Sequence, residues 1–409
     1  MGNHGNIIRL LCVIVLLVPL LTGCWDSVDI EDRAVVLAIA IDKAEKNAKE
    51  NEAEISHLKQ KGFRKPQEKM IRVTAQIAVP GRIPLGPDTG GGTGEEKPPV
   101  WVLSAVGHTL DDALLNLQQE VADPIFLGHL RVIIISKDLA KKGVKRFNDY
   151  FRRNPEIRRS AWLAISNGNA AKLINVAPKL ERVPALYIAA MLENGVKLGK
   201  FPNDFIGLFW RTLSSKGQDA YLPFLKVKEE ENIQIKGLAN FSNAKMVGMT
   251  EPLEIGLYMG VMGERKGGYG VFVDVPGTKA KVLVEAVHRK SRVKTVIRNG
   301  KPHVQIKIRY EGQINEKDHE KVEINKSAVI KRIEKKAATD TEKSVKGLIR
   351  KTQQMQSDIF GFGEYVRAKH PTYWNENVKT KENWHKLYKE GTYEVKVVFH
   401  IRRVGMKAE

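Results

Sequence analysis

The sequence predicts an α+β protein: an elongated, multi-domain chain with mixed sheets, flanking helices and a long helix in the C-terminal region. Three observations carry this. Apolar runs with strand patterning alternate with helical stripes up to about residue 210. From Tyr221 to Tyr310 strands dominate, punctuated by Gly-rich turns such as Gly267-Gly-Tyr-Gly270. A long charged helical pattern then spans about Lys326–Gln356, and a last strand, Tyr393–Arg403, follows. The 409 residues are 42% hydrophobic and 28% charged, enough to bury substantial cores over two or three domains.

The elements follow in order. Val35–Ile41 reads as a buried strand, and residues 43–70, rich in Lys and Glu, as an exposed excursion. Ile71–Val79 places alternate apolar residues on one face, as a strand does. Residues 80–99, with Gly90–Gly94 and five prolines, form a loop, and Val100–Val106 returns to strand. Thr109 caps a helix carrying Leu110, Leu114, Leu117 and Val121 as one stripe, with Asp112 placed for a capping box. Leu130–Ile135 is a strand, and Ala140, Val144, Phe147 and Phe151 predict a second helix. Ala161–Ile165 is a further strand, followed by shorter helices to about Trp210. The expected borders are 1–23, 24–200, a β-rich middle at 201–280 and a C-terminal α+β region at 281–405; 201–405 can also count as one module. No repeat of solenoid period is present.

The N-terminus sets the location. Leu10–Leu21 is an uncharged apolar run of secretory h-region length, too short to span a bilayer. It ends in Leu21-Thr-Gly-Cys24, which resembles a bacterial lipobox. Cleavage between Gly23 and Cys24 would leave a thiol to take diacylglycerol and an amine to take a further acyl chain. The competing reading is an ordinary signal peptide with an incidental cysteine. Two or three acyl chains would give lasting membrane attachment.

Enzyme chemistry finds little support. Gly90–Gly94 runs into Glu95-Glu96 and has no Gly-Lys-Ser/Thr, so it does not cradle phosphate. His319-Glu320 starts like a zincin helix, but Glu323 replaces the second histidine. No Gly-x-Ser-x-Gly elbow occurs, and the two cysteines, Cys12 and Cys24, exclude a Cys-based metal site in the body of the chain. The sequence therefore predicts no catalysis, no metal and no cofactor.

The formal net charge of +20 is more informative. Residues 281–310 hold nine Lys or Arg and one acid, Glu285. Asn299-Gly300 predicts a two-residue hairpin turn. That register pairs Val293 with Ile306 and Thr295 with Val304 on an inner side. On the other side it pairs Arg298 with Lys301, Arg292 with Lys307 and Lys290 with Arg309, and it places Pro302 in a non-hydrogen-bonded pair. Like charges directly opposite one another destabilise a sheet. Such a face is either a well-solvated ribbon or a contact for acidic headgroups, a wall polymer or an acidic protein patch. Arg152, Arg153, Arg158 and Arg159 around Pro155 are likewise either a docking surface for an acidic loop or a solvated helix end. An export signal, 7% aromatic content and the lack of a stacking platform argue against nucleic acid.

Several segments together resemble one family. They are Cys24-Trp-Asp26, Ile30-Glu-Asp-Arg-Ala34, Gly128-His-Leu-Arg-Val-Ile-Ile134 and Phe151-Arg-Arg-Asn-Pro-Glu-Ile-Arg-Arg159. Further on are Gly237-Leu-Ala239, Lys245-Met-Val-Gly248, Gln353, Ser357-Asp-Ile-Phe-Gly-Phe-Gly-Glu-Tyr365, His370-Pro371, Trp374 and Trp384. In this order, from the lipobox to about Gly405, they resemble the C-subunit lipoproteins of spore germination nutrient receptors, the Ger(x)C family. Segments 43–70 and 86–99 fall outside the likeness. The resemblance implies a non-enzymatic receptor subunit on the outer face of the spore inner membrane. It would be partnered by a permease-like subunit and a larger membrane subunit. A solute-binding lipoprotein of an importer and a lipid-anchored hydrolase are the alternatives. Trp25 would lie among headgroups or pack on the first domain, and Asp358–Tyr365 reads as a structural corner in preference to a ligand pocket.

Overall fold

The computed structural model describes residues 29–48, 55–57, 62–64, 66, 69–82, 98–176, 181–229, 231–319, 324 and 326–404. Cys24, the Gly23–Cys24 bond, Trp25, the Gly90–Gly94 run, Glu320 and Glu323 lie outside them.

The first sheet grows around β1 (Ala34–Lys43), buried at all but two positions, as befits a strand covered on both faces. β2 (Ile71–Ala78) and β3 (Val100–Gly107) add antiparallel on one side. β5 (Val132–Ser136) and β6 (Trp162–Ser166) add parallel on the other, and β4 (Ile125–Phe126) pairs the first residues of β1. β7 (Tyr221–Lys228), β8 (Asn232–Ser242) and β9 (Lys245–Met249) extend the order to β3-β2-β1-β5-β6-β7-β8-β9. The period of two sorts the strands between two cores: Ile133 and Ile135 join one, Val132 and Ile134 the other.

Helices α1 (Leu110–Gln118), α2 (Lys137–Lys142), α3 (Lys145–Arg153) and α6 (Ile206–Leu213) cover the first face. On α1, Thr109 Oγ1 accepts from the Asp112 amide at 3.1 Å, while the Asp112 carboxylate accepts the His108 amide at 2.7 Å in place of the Thr109 amide a capping box would use, and the whole leucine stripe is buried. The opposite face is covered by α4 (Ala170–Asn175), α5 (Pro184–Lys197), α7 (Pro252–Met262) and the second sheet with its long helix α8 (Ser327–Gln354). The second sheet runs β10 (Gly270–Asp274), β11 (Lys281–Arg298), β12 (Lys301–Lys317) and β13 (Thr392–Val404). β13 lies parallel to β12, and the connection between them carries α8, α9 (Phe362–Lys369) and α10 (Lys381–Glu390). The fold class is therefore α+β with mixed sheets and a long C-terminal helix.

The hairpin register holds residue for residue, from Lys290 opposite Arg309 to Arg298 opposite Lys301. Asn299 and Gly300 adopt φ of 49° and 72°, as a turn with two left-handed residues demands.

Three expectations change. The second predicted helix is two: the stripe Ala140, Val144, Phe147, Phe151 is buried, but the chain breaks at Gly143 (φ 124°) between α2 and α3. The break lets the Val144 amide donate to the Ala244 carbonyl at 2.8 Å, fastening the β8–β9 turn. The region 201–280 has no sheet of its own: β7–β9 join the first sheet and β10 the second, because strand patterning does not specify which sheet a strand extends. Finally, the excursion after β1 is not wholly exposed. His57 is buried edge-on against His108, and Ser56 Oγ donates to Asp112 at 2.5 Å.

Candidate functional site

β11, β12 and β13 bury one face against α8 and α10 and leave the other open. On the open face Lys290, Arg292, Lys294, Arg298, Lys307 and Arg309 are all exposed. Lys301 is exposed too, but its ammonium pairs with Glu390 at 2.8 Å. Arg309 contacts His400 Nε2 at 3.4 Å. Lys396 pairs with Glu394 at 3.1 Å and Arg402 with Glu311 at 2.7 Å, so the acids on this face are already engaged. Lys290, Arg292, Lys294, Arg298 and Lys307 form no ion pair among the described residues.

One of the nine cations in this stretch is not on the face. A bulge between Ala286 and His288 shifts the strand's phase and turns Arg289 inward, where it is 3% exposed. Its guanidinium donates to the carbonyls of Gly199 (2.9 Å), Glu264 (3.1 Å), Gly256 (3.4 Å) and Lys266. Burial lowers its pKa, yet it ties three segments to the sheet. At the other basic candidate, the end of α3, Arg153 pairs with Asp149 at 2.8 Å, while Arg152 stays exposed without such a partner among the described residues.

Where α9 and α10 meet the strand entering β7, the charges are buried instead. Asp219, fully buried, accepts the Asp358 amide at 2.9 Å and lies 2.8 Å from His385 Nε2. Lys381 Nζ sits 3.2 Å from Asp219 Oδ1, at ion-pair distance but off the line of a hydrogen bond. Asp358 Oδ2 accepts the Gly363 amide (2.9 Å) and Trp384 Nε1 (3.0 Å). Burial, and then the charge of Asp219, push the Asp358 carboxyl up to about 7. Ser357 Oγ donates to the Phe241 carbonyl at 2.6 Å, crossing from the second region to the first sheet. Glu364 accepts from the Gly217 amide (2.8 Å) and Ser215 Oγ (2.5 Å), doing the same. Gly361 takes φ 71°, and a Cβ on Gly363 would come within 2.6 Å of Trp384, so both glycines are required by the packing of this corner. Gln353 donates to the carbonyls of Tyr388 and Gly391, closing the end of α10.

Gln353, Ser357–Glu364 and Trp384, scattered over more than thirty residues, thus meet at one joint. Two family models match in sequence order: a spore germination protein N-terminal domain over residues 26–227, and a spore germination B3/GerAC-like C-terminal domain over 236–405. The chain belongs to the Ger(x)C family. A role in spore germination follows. Among curated relatives, the putative spore germination protein YfkR of Bacillus subtilis (strain 168) is 28% identical, covering 97% of this chain and 96% of its own length. Spore germination protein KC of the same strain is 25% identical over 97% of this chain and 96% of its own length, and spore germination protein B3 is 23% identical over 94% and 95%. The crystal structure of the GerBC protein shares the fold, with a TM-score of 0.52 and 21% identity over 83% of this chain and 96% of that one. In this Ger(x)C chain the C-terminal family match spans both the joint between the sheets and the open basic face.

No group of three or more His, Cys, Asp or Glu stands in metal-binding arrangement among the described residues. Sequence reading missed the Asp219–Lys381–His385 cluster and the inward Arg289. The first joins residues 166 positions apart, and the second depends on a bulge that no alternation pattern announces.

Proposed function

We propose that this chain is the lipid-anchored, non-catalytic C subunit of a nutrient germinant receptor. Cys24 carries the diacylglyceryl and N-acyl groups, and they hold the protein on the outer face of the spore inner membrane. A permease-like subunit and a larger membrane subunit complete the receptor, and the whole is required for nutrient-triggered germination. One observation carries the reading: the family match begins at residue 26, two positions after Cys24, and continues to residue 405. No helix among the described residues is long and apolar enough to cross a membrane. The open basic face, with Arg292, Arg298 and Lys307, lies against an anionic lipid surface. The importer alternative gains no support from two unlike sheets that share one core.

Mass spectrometry of the N-terminal peptide tests the anchor: acylated Cys24 is expected. Cys24→Ala should move the protein from the detergent phase to the aqueous phase and reduce nutrient germination to the level of a deletion strain. An unacylated Cys24 in wild-type membranes overturns the anchor. Unchanged response of a deletion strain to every nutrient, in a background without other receptors of this family, overturns the receptor role.

A further inference from the structure

The break at Gly143 opens a cleft in the first region. The end of α2, the start of α3, the end of β1, the residues entering β2 and the β8–β9 turn enclose about 580 Å³. Six cations line it, Lys43, Lys69, Lys142, Lys145, Arg146 and Lys245, and among the described residues no acid does. The five lysines are exposed and take part in no ion pair among the described residues. Lys145 and Arg146 occupy the first turn of α3, which contains no acid. Cations at that end of a helix are opposed by its dipole, on top of their mutual repulsion. A second hollow of about 690 Å³ shares Lys145, Arg146, Asn243 and Ala244 and runs along α3 to Arg152. Its one acid, Asp149, is held by Arg153. The two hollows therefore make one trough, and from Lys145 to Arg152 it follows about 10 Å of helix.

We propose that this trough docks an acidic, extended peptide segment of a partner protein. A site for a small anion converges a few buried polar groups on one point. The lysines here and Arg152 are exposed and strung along an open channel, with Arg146 half-buried on the Phe147 ring. An extended peptide presents carboxylates on one side about every 7 Å. Such a row can face Lys245 and Lys142 at one end and Arg152 at the other, relieving the repulsion that the free protein carries. That the partner is a membrane subunit rests on the receptor reading; the docking chemistry does not.

The test uses the full-length chain in detergent and a fluorescein-labelled octaglutamate peptide, read by fluorescence anisotropy at low salt. Wild type should bind, and binding should weaken with salt. Lys142→Glu with Lys245→Glu should weaken it by about tenfold or more, and Lys142→Gln with Lys245→Gln by less, both at an unchanged unfolding midpoint. Arg292→Glu with Lys307→Glu, on the open face of the second sheet, removes the same charge elsewhere and should change binding by less than about twofold. Equal weakening by both reversals, no binding by wild type, or tighter binding of inorganic pyrophosphate than of the peptide would each overturn the proposal. None of these outcomes bears on the deletion phenotype, which tests the receptor reading separately.

Discussion

The joint between the sheets and the outer face of β11–β13 are both dense in charge, yet they treat it oppositely. At the joint Asp219, Asp358, Lys381 and His385 are buried, and each answers to a named neighbour. On the outer face Lys290, Arg292, Lys294, Arg298 and Lys307 stand in water without a carboxylate among the described residues. Buried charges are costly to leave unpaired, so the identities at the joint are dictated by the fold. Exposed cations add little to folding and remain available to a partner. The difference is one of solvation: charge at the joint is fixed by buried partners, and charge on the outer face is left to water.

The comparison breaks first at Trp384. Its indole is buried, and its Nε1 is one of two donors to Asp358 Oδ2. Trp384→Ala should cost about 3–5 kcal/mol in urea unfolding; a loss under about 1 kcal/mol would mean that the joint is not what fastens the two regions.

A pH series sharpens it next. Asp358 titrates near 7 in the fold, while an unfolded aspartate titrates near ~3.9. The native state thus holds the extra proton between those values. Stability should fall as pH rises through that window, by on the order of a few kcal/mol, and level off above it. Asp358→Asn should flatten this profile. A wild-type profile that rises across pH 4–7 would show that another group governs the joint.

The smallest effect on folding belongs to the open face. Arg292→Glu with Lys307→Glu should change stability by less than about 0.5 kcal/mol. The same variant should lose binding to anionic vesicles by about tenfold or more, at roughly 1 kcal/mol per cation near such a surface. If stability fell like that of Trp384→Ala, the face would belong to the fold and not to a partner.

Much of the architecture was legible because local rules fix it. Asn299-Gly300 dictates a turn, and the turn dictates the register of every pair back to Lys290 and Arg309. The leucine stripe from Leu110 and the Thr109 cap needed no tertiary knowledge. What could not be read depends on contacts between distant segments. Ala140, Val144, Phe147 and Phe151 keep helical phase across the break, so the stripe hides Gly143 and with it the trough. The trough's cations come from five separate segments, and of them only Arg152 stands out in the sequence alone. Strands 221–249 carry ordinary strand patterning, and only assembly assigns them to the first sheet.

The parallel pairing of β13 with β12 has a consequence for how the protein is made. β12 ends at Lys317 and its partner ends at Val404, so during synthesis the long hairpin waits with one edge bare. At roughly 5–20 residues per second that interval is on the order of ten seconds, long enough for one nascent hairpin to meet another. The ranks of lysine and arginine on the hairpin's outer side bring like charge into any such encounter and so oppose it.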